Sequence, residues 1–187
     1  MIIDREKEAL IIVDLQNDFC PGGALAVPDG DKIVPIINAL IPKFEKVFTT
    51  QDWHPADHIS FKAQGGIWPP HCVVGTSGVD FHPDLKVEGA IQIYKGEESN
   101  REAYSGFQGT DLDDRLKDQG VQRIFICGLA TDYCVKATVL DGIKSGFAVV
   151  VIADAIKGVD VKSGDSAAAI ENMKDAGATI IDSKSLA

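Results

Sequence analysis

The chain has 187 residues, of which 45% are hydrophobic, so it is long and apolar enough to bury the core of one domain. Eighteen basic and 28 acidic residues give a net charge of −10, which argues against nucleic acid or an anionic membrane surface as a partner. The sequence contains no apolar run of membrane-spanning length, no signal-peptide pattern and no CxxC pair among its four cysteines, so we expect a reduced, cytoplasmic protein.

Six short apolar segments are predicted to be β-strands. They cover residues 9–14, 46–52, 90–96, 121–128, 147–155 and 178–182. Continuous apolar runs without alternation are typical of parallel strands that are covered on both faces. The segments between them predict helices at 31–44, 110–119, 131–145 and 163–176, although two prolines, Pro35 and Pro42, weigh against the first.

This order of elements predicts an α/β fold: three layers, α/β/α, around a six-stranded, mainly parallel, doubly wound sheet. We expect a single domain over residues 1–187, because no linker divides the chain. Residues 53–89 contain no predicted long element and are rich in Gly, Pro, His and Trp. A loop of that length in a compact domain is usually functional.

Four reactive side chains follow four different predicted strands: Asp14, Asp52, Lys95 and Cys134. Open α/β sheets bind ligands beyond the carboxyl ends of their strands, so these residues are expected to meet in one site. Asp14 could be a general base for a thiol or could cap a turn, and Lys95 could stabilise a thiolate or be a solvated charge.

Cys134 lies in the first turn of the third predicted helix. If Thr131 or Asp132 caps that helix, the free N–H groups and the helix dipole favour a thiolate there and lower the thiol pKa. The same N–H groups could hold an oxyanion. The simpler interpretation is a buried apolar thiol, which is the reading we favour for Cys127 inside its strand.

The segment QDWHPADHIS suggests a metal site. Asp52 and His54 are two residues apart, so in extended chain their side chains point the same way, and His71 could complete the set. One carboxylate and two imidazoles with open positions indicate a catalytic or substrate-binding metal rather than a closed structural one. His58 and Ser60 are further candidates, and the alternative is that the histidines cap turns and pack on tryptophans.

Four aromatic side chains are candidates for the walls of a pocket for a flat ring: Phe19, Trp68, Tyr104 and Tyr133. Aromatic side chains form such walls in many ligand sites, but an aromatic residue taken singly is more often part of the core.

Taken together, five segments resemble the nicotinamidases of the isochorismatase-like cysteine hydrolase family, in order and over nearly the whole chain. They are DLQNDFCPGGALAVPDGD, TQDWHPADHISF, WPPHCVVGTSGVDF, KGEESNREAYSGFQGTDL and CGLATDYCVKATVLD. The resemblance implies hydrolysis of nicotinamide to nicotinate and ammonia through a cysteine thioester, and of pyrazinamide as well. It also implies a place in NAD salvage, and it leaves a homo-oligomer open.

The resemblance also implies roles for individual residues. Asp14, Lys95 and Cys134 would form the catalytic triad, and the backbone N–H groups of Ala130 and Cys134 the oxyanion hole, next to a cis peptide bond between Leu129 and Ala130. The implied metal ligands, with Zn as the first choice and Mn or Fe as alternatives, are Asp52, His54, His71 and either Ser60 or His58. The family's pocket aromatics match Phe19, Trp68 and Tyr104, while Tyr133 stands at a position that varies.

Three other functions compete with this hypothesis. A related cysteine amidase acting on a carbamoyl or ureido substrate would share the Asp–Lys–Cys set. A zinc enzyme in which the metal activates water would use the histidines but leave Cys134 idle. A receiver-like phospho-binding module would need clustered acidic residues after the first strand, where VDLQND offers only Asp14 and Asp18.

Overall fold

A computed structural model describes residues 1–186 of the chain. Its six strands are β1 (Glu8–Val13), β2 (Lys46–Asp52), β3 (Ile91–Lys95), β4 (Arg123–Leu129), β5 (Ala148–Lys157) and β6 (Thr179–Ile181). All neighbours pair in parallel in the order β3-β2-β1-β4-β5-β6. The predicted six-stranded parallel sheet is therefore confirmed, and each strand overlaps one of the six predicted apolar segments.

Four α-helices cover the sheet: α1 (Val34–Leu40), α2 (Leu112–Asp118), α3 (Lys136–Lys144) and α4 (Asp165–Asp175). Successive strand residues point to opposite faces, so Leu10 and Ile12 of β1 pack with α1, whereas Ile11 packs with α2 and α3. The result is the expected three-layer α/β/α architecture. Within residues 1–186, none of the helices has the length and apolar character needed to cross a membrane.

All four α-helices are shorter than the predicted segments, and two of them differ by more than two residues at one or both ends. The segment predicted as one helix over 31–44 is an α-helix of seven residues between two short 3-10 turns. Pro35 is accommodated at the start of α1, where its missing N–H costs nothing, but Pro42 cannot extend the helix and lies in the following turn. The segment predicted over 131–145 begins with a π-helical turn, Thr131–Val135, before α3.

The long segment after β2 contains only short 3-10 turns, Lys62–Gln64 and Ser77–Val79, and isolated bridges. It crosses the carboxyl edge of the sheet, where the bridge between His54 and Val73 folds it back on itself. This segment brings the histidines of the candidate metal site to the strand ends.

Candidate active site

The four reactive residues at the strand ends lie close together and are buried. Asp14 follows β1 directly, Asp52 and Lys95 are the last residues of β2 and β3, and Cys134 lies in the π-helical turn after β4. Ligand atoms of Asp14, Asp52 and Cys134 all lie within 4.8 Å of one another. The carboxyl edge of the parallel sheet therefore forms one site from four separate segments.

Lys95 connects these groups. Its Nζ lies 2.9 Å from Oδ2 of Asp14, 2.5 Å from Oδ1 of Asp52 and 3.5 Å from Sγ of Cys134. Nζ also donates a hydrogen bond to the carbonyl of Ala103 at 3.2 Å. Burial alone would lower the pKa of Lys95, but the two carboxylates raise it well above its usual value, so the side chain is an ammonium.

Asp14 is held in an uncommon backbone conformation, with φ of 44°. Its N–H donates to the carbonyl of Thr50 at 3.2 Å, and the Thr50 hydroxyl donates to its Oδ1 at 2.6 Å. Burial raises the pKa of Asp14, while Lys95 opposes that shift. A carboxylate with a raised pKa accepts a proton more readily than an exposed one, which suits a general base.

Cys134 lies in a turn that differs from the predicted helix start. Ala130 occupies the N-cap position, and its carbonyl accepts hydrogen bonds from the N–H groups of Tyr133 and Val135. The condition that Thr131 or Asp132 caps the helix is not met, since the N-cap residue is Ala130 and no side chain caps the turn. The Asp132 carboxylate instead accepts the N–H groups of residues 159 and 160. The cis peptide bond between residues 129 and 130 is present as the resemblance implies.

The prediction that the pKa of Cys134 is lowered is also wrong. Burial raises its pKa well above the ordinary value of a thiol, with the nearby charge of Lys95 only opposing the shift. The resting side chain is therefore a neutral thiol at neutral pH. It needs a base to remove its proton when it attacks, and Asp14 is within reach.

Asp52, His54 and His71 form a buried three-donor cluster with ligand atoms within 4.8 Å of one another. Nε2 of His54 lies 3.5 Å, and Nε2 of His71 3.9 Å, from Oδ2 of Asp52. The other ring nitrogens contact backbone carbonyls: Nδ1 of His54 that of Gly96 at 3.0 Å, and Nδ1 of His71 that of Pro69 at 2.8 Å.

These carbonyl contacts favour Nδ1 as the protonated nitrogen and leave both Nε2 atoms facing Oδ2 of Asp52, the arrangement that metal-binding histidines use. Burial opposes the charge of Asp52, but Lys95 holds its pKa well below the usual range, so it is a carboxylate. Gly96 is required here, because it has φ of 68° and a Cβ atom would lie 2.4 Å from the His54 ring. The donor set fits a divalent transition metal.

The two candidates for a further ligand contact each other. Nδ1 of His58 lies 2.7 Å from Oγ of Ser60, and Nε2 of His58 lies 3.0 Å from the carbonyl of Arg101. Both ring nitrogens of His58 are thus engaged within the protein, and its ring stacks on His54 at 4.0 Å between centroids. Of the two, only Ser60 has a lone pair left for a metal.

A small pocket opens next to the thiol. Its walls include the four aromatic residues singled out in the sequence, Phe19, Trp68, Tyr104 and Tyr133, together with Asp52, His71, Ala130 and Cys134. Nε1 of Trp68 donates to the Tyr104 hydroxyl at 3.0 Å, and the Trp68 ring meets Tyr133 edge-on at 5.0 Å. The three-donor cluster, through Asp52 and His71, and the thiol of Cys134 therefore face one pocket lined by aromatic rings.

Sequence reasoning missed two kinds of residue in this site. Leu25 and Val159 complete the apolar wall, and neither carries a motif that would single it out. Thr50 and Gln16 contact Asp14 and Asp52 by hydrogen bonds between residues 36 apart, which no local spacing reveals. Their only signal in the sequence is a polar side chain next to a buried strand end.

Comparisons with known proteins identify the family of this chain. The family model described as Isochorismatase domain matches residues 8–185. The nicotinamidase of Escherichia coli (strain K12) is 44% identical, covering 92% of this chain and 93% of its own.

Two solved structures show the same fold. The zinc complex of the Pyrococcus horikoshii pyrazinamidase is 52% identical, has a TM-score of 0.89 and covers 94% of this chain and 99% of its own. The nicotinate complex of PnC1 from L. infantum is 36% identical, with a TM-score of 0.95 and coverage of 100% and 98%. The chain belongs to the isochorismatase domain family.

Proposed function

We propose that this protein is a nicotinamidase, an amidohydrolase that converts nicotinamide to nicotinate and ammonia and also accepts pyrazinamide. The observation that carries the proposal is the buried ammonium of Lys95, which contacts the base Asp14, the thiol of Cys134 and the metal-ligand candidate Asp52 beside a ring-lined cavity. The names of the similar proteins, nicotinamidase and pyrazinamidase, support the same substrate class.

In the proposed reaction, Asp14 takes the proton of the Cys134 thiol as the sulfur attacks the amide carbonyl. The carbonyl oxygen becomes an oxyanion, which the backbone N–H groups of Ala130 and Cys134 would stabilise by about 3–4 kcal/mol, as one donor does in comparable sites. Lys95 remains charged throughout and offsets the negative charge that moves between sulfur and carboxylate.

Collapse of the tetrahedral intermediate breaks the C–N bond. The protonated Asp14 gives its proton to the leaving nitrogen, and ammonia departs, which leaves a thioester on Cys134. Asp14 then removes a proton from water as it attacks the thioester, and the sulfur leaves as a thiol after receiving that proton. The enzyme returns to its starting state with nicotinate as the acid product.

Asp52, His54, His71 and Ser60 would hold the metal, which when bound supplies a Lewis acid for the pyridine nitrogen of the substrate. We propose Zn²⁺, with Mn²⁺ or Fe²⁺ as alternatives for an oxygen and nitrogen donor set. Phe19, Trp68, Tyr104 and Tyr133 would sandwich the ring and exclude water around it. A flat, apolar pocket cannot strongly reject pyrazinamide, which differs from nicotinamide by one ring nitrogen.

We also propose that residues 1–187 act as one domain and that the enzyme serves NAD salvage in the cytoplasm. The compartment is supported by the four cysteines, all of which are buried and unpaired within residues 1–186.

The test is ammonia release from nicotinamide by the wild type, Cys134→Ala and the matched control Cys127→Ala. Cys127 is buried in β4. Within residues 1–186, its sulfur has one hydrogen-bond partner, the carbonyl of Ile11 in β1. We expect release by the wild type and the control and none by Cys134→Ala. Release by Cys134→Ala would indicate that a metal held by Asp52, His54 and His71 activates the attacking water, rather than the thiol attacking. Release by none of the three proteins would point to a carbamoyl or ureido substrate.

A further inference from the structure

Gln16 is a fully buried polar residue that the proposed mechanism does not use. Its side-chain amide makes three contacts, each of 2.8 Å. Oε1 accepts the backbone N–H of Asp52, and Nε2 donates to the backbone carbonyls of Asp52 and Val79. One side chain thus satisfies both the N–H and the carbonyl of Asp52, which supplies the carboxylate of the three-donor cluster.

The two hydrogen bonds to Asp52 replace the strand pairing that β1 no longer provides at this point. The register between β1 and β2 ends at the pair of Ile12 and Thr49, three residues before Asp52. On the other side, β3 still pairs with Asp52 through Lys95. Without the amide of Gln16, the last residue of β2 would have a strand neighbour on one side only, and the ends of such strands fray.

We infer that Gln16 is a positioning residue for the metal: it fixes the backbone of Asp52 so that the carboxylate faces both His54 and His71. The inference rests on the proposed function, because it concerns the metal site described there. The carboxylate has two tasks at once, since Oδ1 contacts Lys95 and Oδ2 faces the histidines. Both contacts depend on the orientation of the Asp52 side chain, which its backbone sets.

The effect is expected to be that of an outer-shell partner of a metal ligand. Loss of such a partner typically weakens metal binding by about 10- to 100-fold. The chain offers a matched control in Gln51, which is also buried and whose Nε2 donates to the same carbonyl of Val79 at 3.0 Å. Within residues 1–186, the Gln51 amide makes no hydrogen bond to the backbone of Asp52.

The experiment measures the Zn²⁺ affinity of the purified protein by competition with a chromophoric chelator, for the wild type, Gln16→Met and Gln51→Met. Methionine keeps the length of the side chain and removes the amide. We expect Gln16→Met to bind Zn²⁺ about 10- to 100-fold more weakly and Gln51→Met to bind like the wild type. At limiting Zn²⁺, Gln16→Met should show a raised KM for nicotinamide, which saturating Zn²⁺ restores.

Gln16→Asn is included in case Gln16→Met does not fold, because it keeps a polar amide but is one methylene too short to reach both backbone groups of Asp52. It should also bind Zn²⁺ more weakly. Equal affinity of wild type and folded Gln16 variants would overturn the inference, as would an equal loss in Gln51→Met. A wild type that binds no Zn²⁺ but hydrolyses nicotinamide would overturn it together with the metal site, while leaving the proposed amidase activity standing.

Discussion

Replacing Lys95 by methionine removes the ammonium of the buried triad and leaves a side chain of similar length. Asp14 and Asp52 then face each other across an apolar group, with no cation between them. The variant is expected to be inactive, because the charge that moves between Cys134 and Asp14 is no longer offset. It is also expected to be much less stable when free of metal.

The size of that loss follows from the contacts. Removing one partner of a buried ion pair costs about 3–5 kcal/mol, because it leaves an uncompensated buried charge. A chain of this length loses about 2–4 °C of Tm for each kcal/mol, so the Tm of metal-free Lys95→Met should fall by about 6–20 °C. The upper half of that range is favoured, because Lys95 contacts two carboxylates rather than one.

The loss should also depend on pH. Burial raises the pKa of Asp14 in the folded protein, and without Lys95 nothing comparable opposes the shift. A carboxyl group whose folded pKa is raised contributes most stability below its unfolded pKa and loses it as the pH rises through the folded value. The difference in Tm between wild type and variant should therefore shrink as the pH is lowered from neutral towards about 4, the ordinary range of carboxyl groups.

The assay is thermal unfolding in the presence of a chelator, with Lys174→Met as the control. Lys174 forms an exposed pair with Glu171 on α4 at 3.1 Å, and such surface pairs contribute about 0–1 kcal/mol. The control should unfold close to the wild type. A Lys95→Met Tm within the range of the control, or a difference that grows at low pH, would refute the claim that Lys95 neutralises two buried carboxylates.

Three further predictions concern single contacts of the site. Gly96→Ala should weaken Zn²⁺ binding by about tenfold, because its Cβ displaces the ring of His54, and a chelator competition that shows no change would contradict this. Tyr104→Phe should raise the KM for nicotinamide about fivefold, because Nε1 of Trp68 loses an acceptor that contributes about 1 kcal/mol; an unchanged KM in steady-state kinetics would argue against that role. Alkylation of Cys134 by iodoacetamide should keep accelerating through the alkaline range, since burial raises the thiol pKa; mass spectrometry showing a plateau near neutral pH would be inconsistent with a neutral resting thiol.

The sheet and the position of the site could be predicted because their signals are local. Each strand overlaps a short apolar run, and the reactive side chains that follow four of the runs mark the carboxyl edge. The ends of the helices were harder to predict, as Pro42 shows: periodicity continues through it, but the missing N–H does not allow the α-helix to continue.

The chemistry of the thiol shows a different limit. A position near a helix start predicts a lowered pKa for Cys134, and that position can be read from the sequence. Burial of the sulfur raises the pKa, and so do the nearby carboxylates of Asp14 and Asp52. Both effects depend on how the strand ends pack together, and they reverse the direction of the shift. Likewise, the choice between His58 and Ser60 depends on the carbonyl of Arg101, which is 43 residues from His58 along the chain.

The six strands contribute unequally to the site. β1, β2, β3 and the turn after β4 supply every residue to which we assign a chemical step, whereas the segment after β5 contributes to the cavity only the apolar wall residue Val159. The wall formed by Val159 therefore belongs to a part of the chain that carries none of the proposed chemical steps. Substitutions at Val159 can enlarge or reshape the cavity for bulkier amides without altering the triad, so laboratory evolution of new substrate preference should begin in this segment.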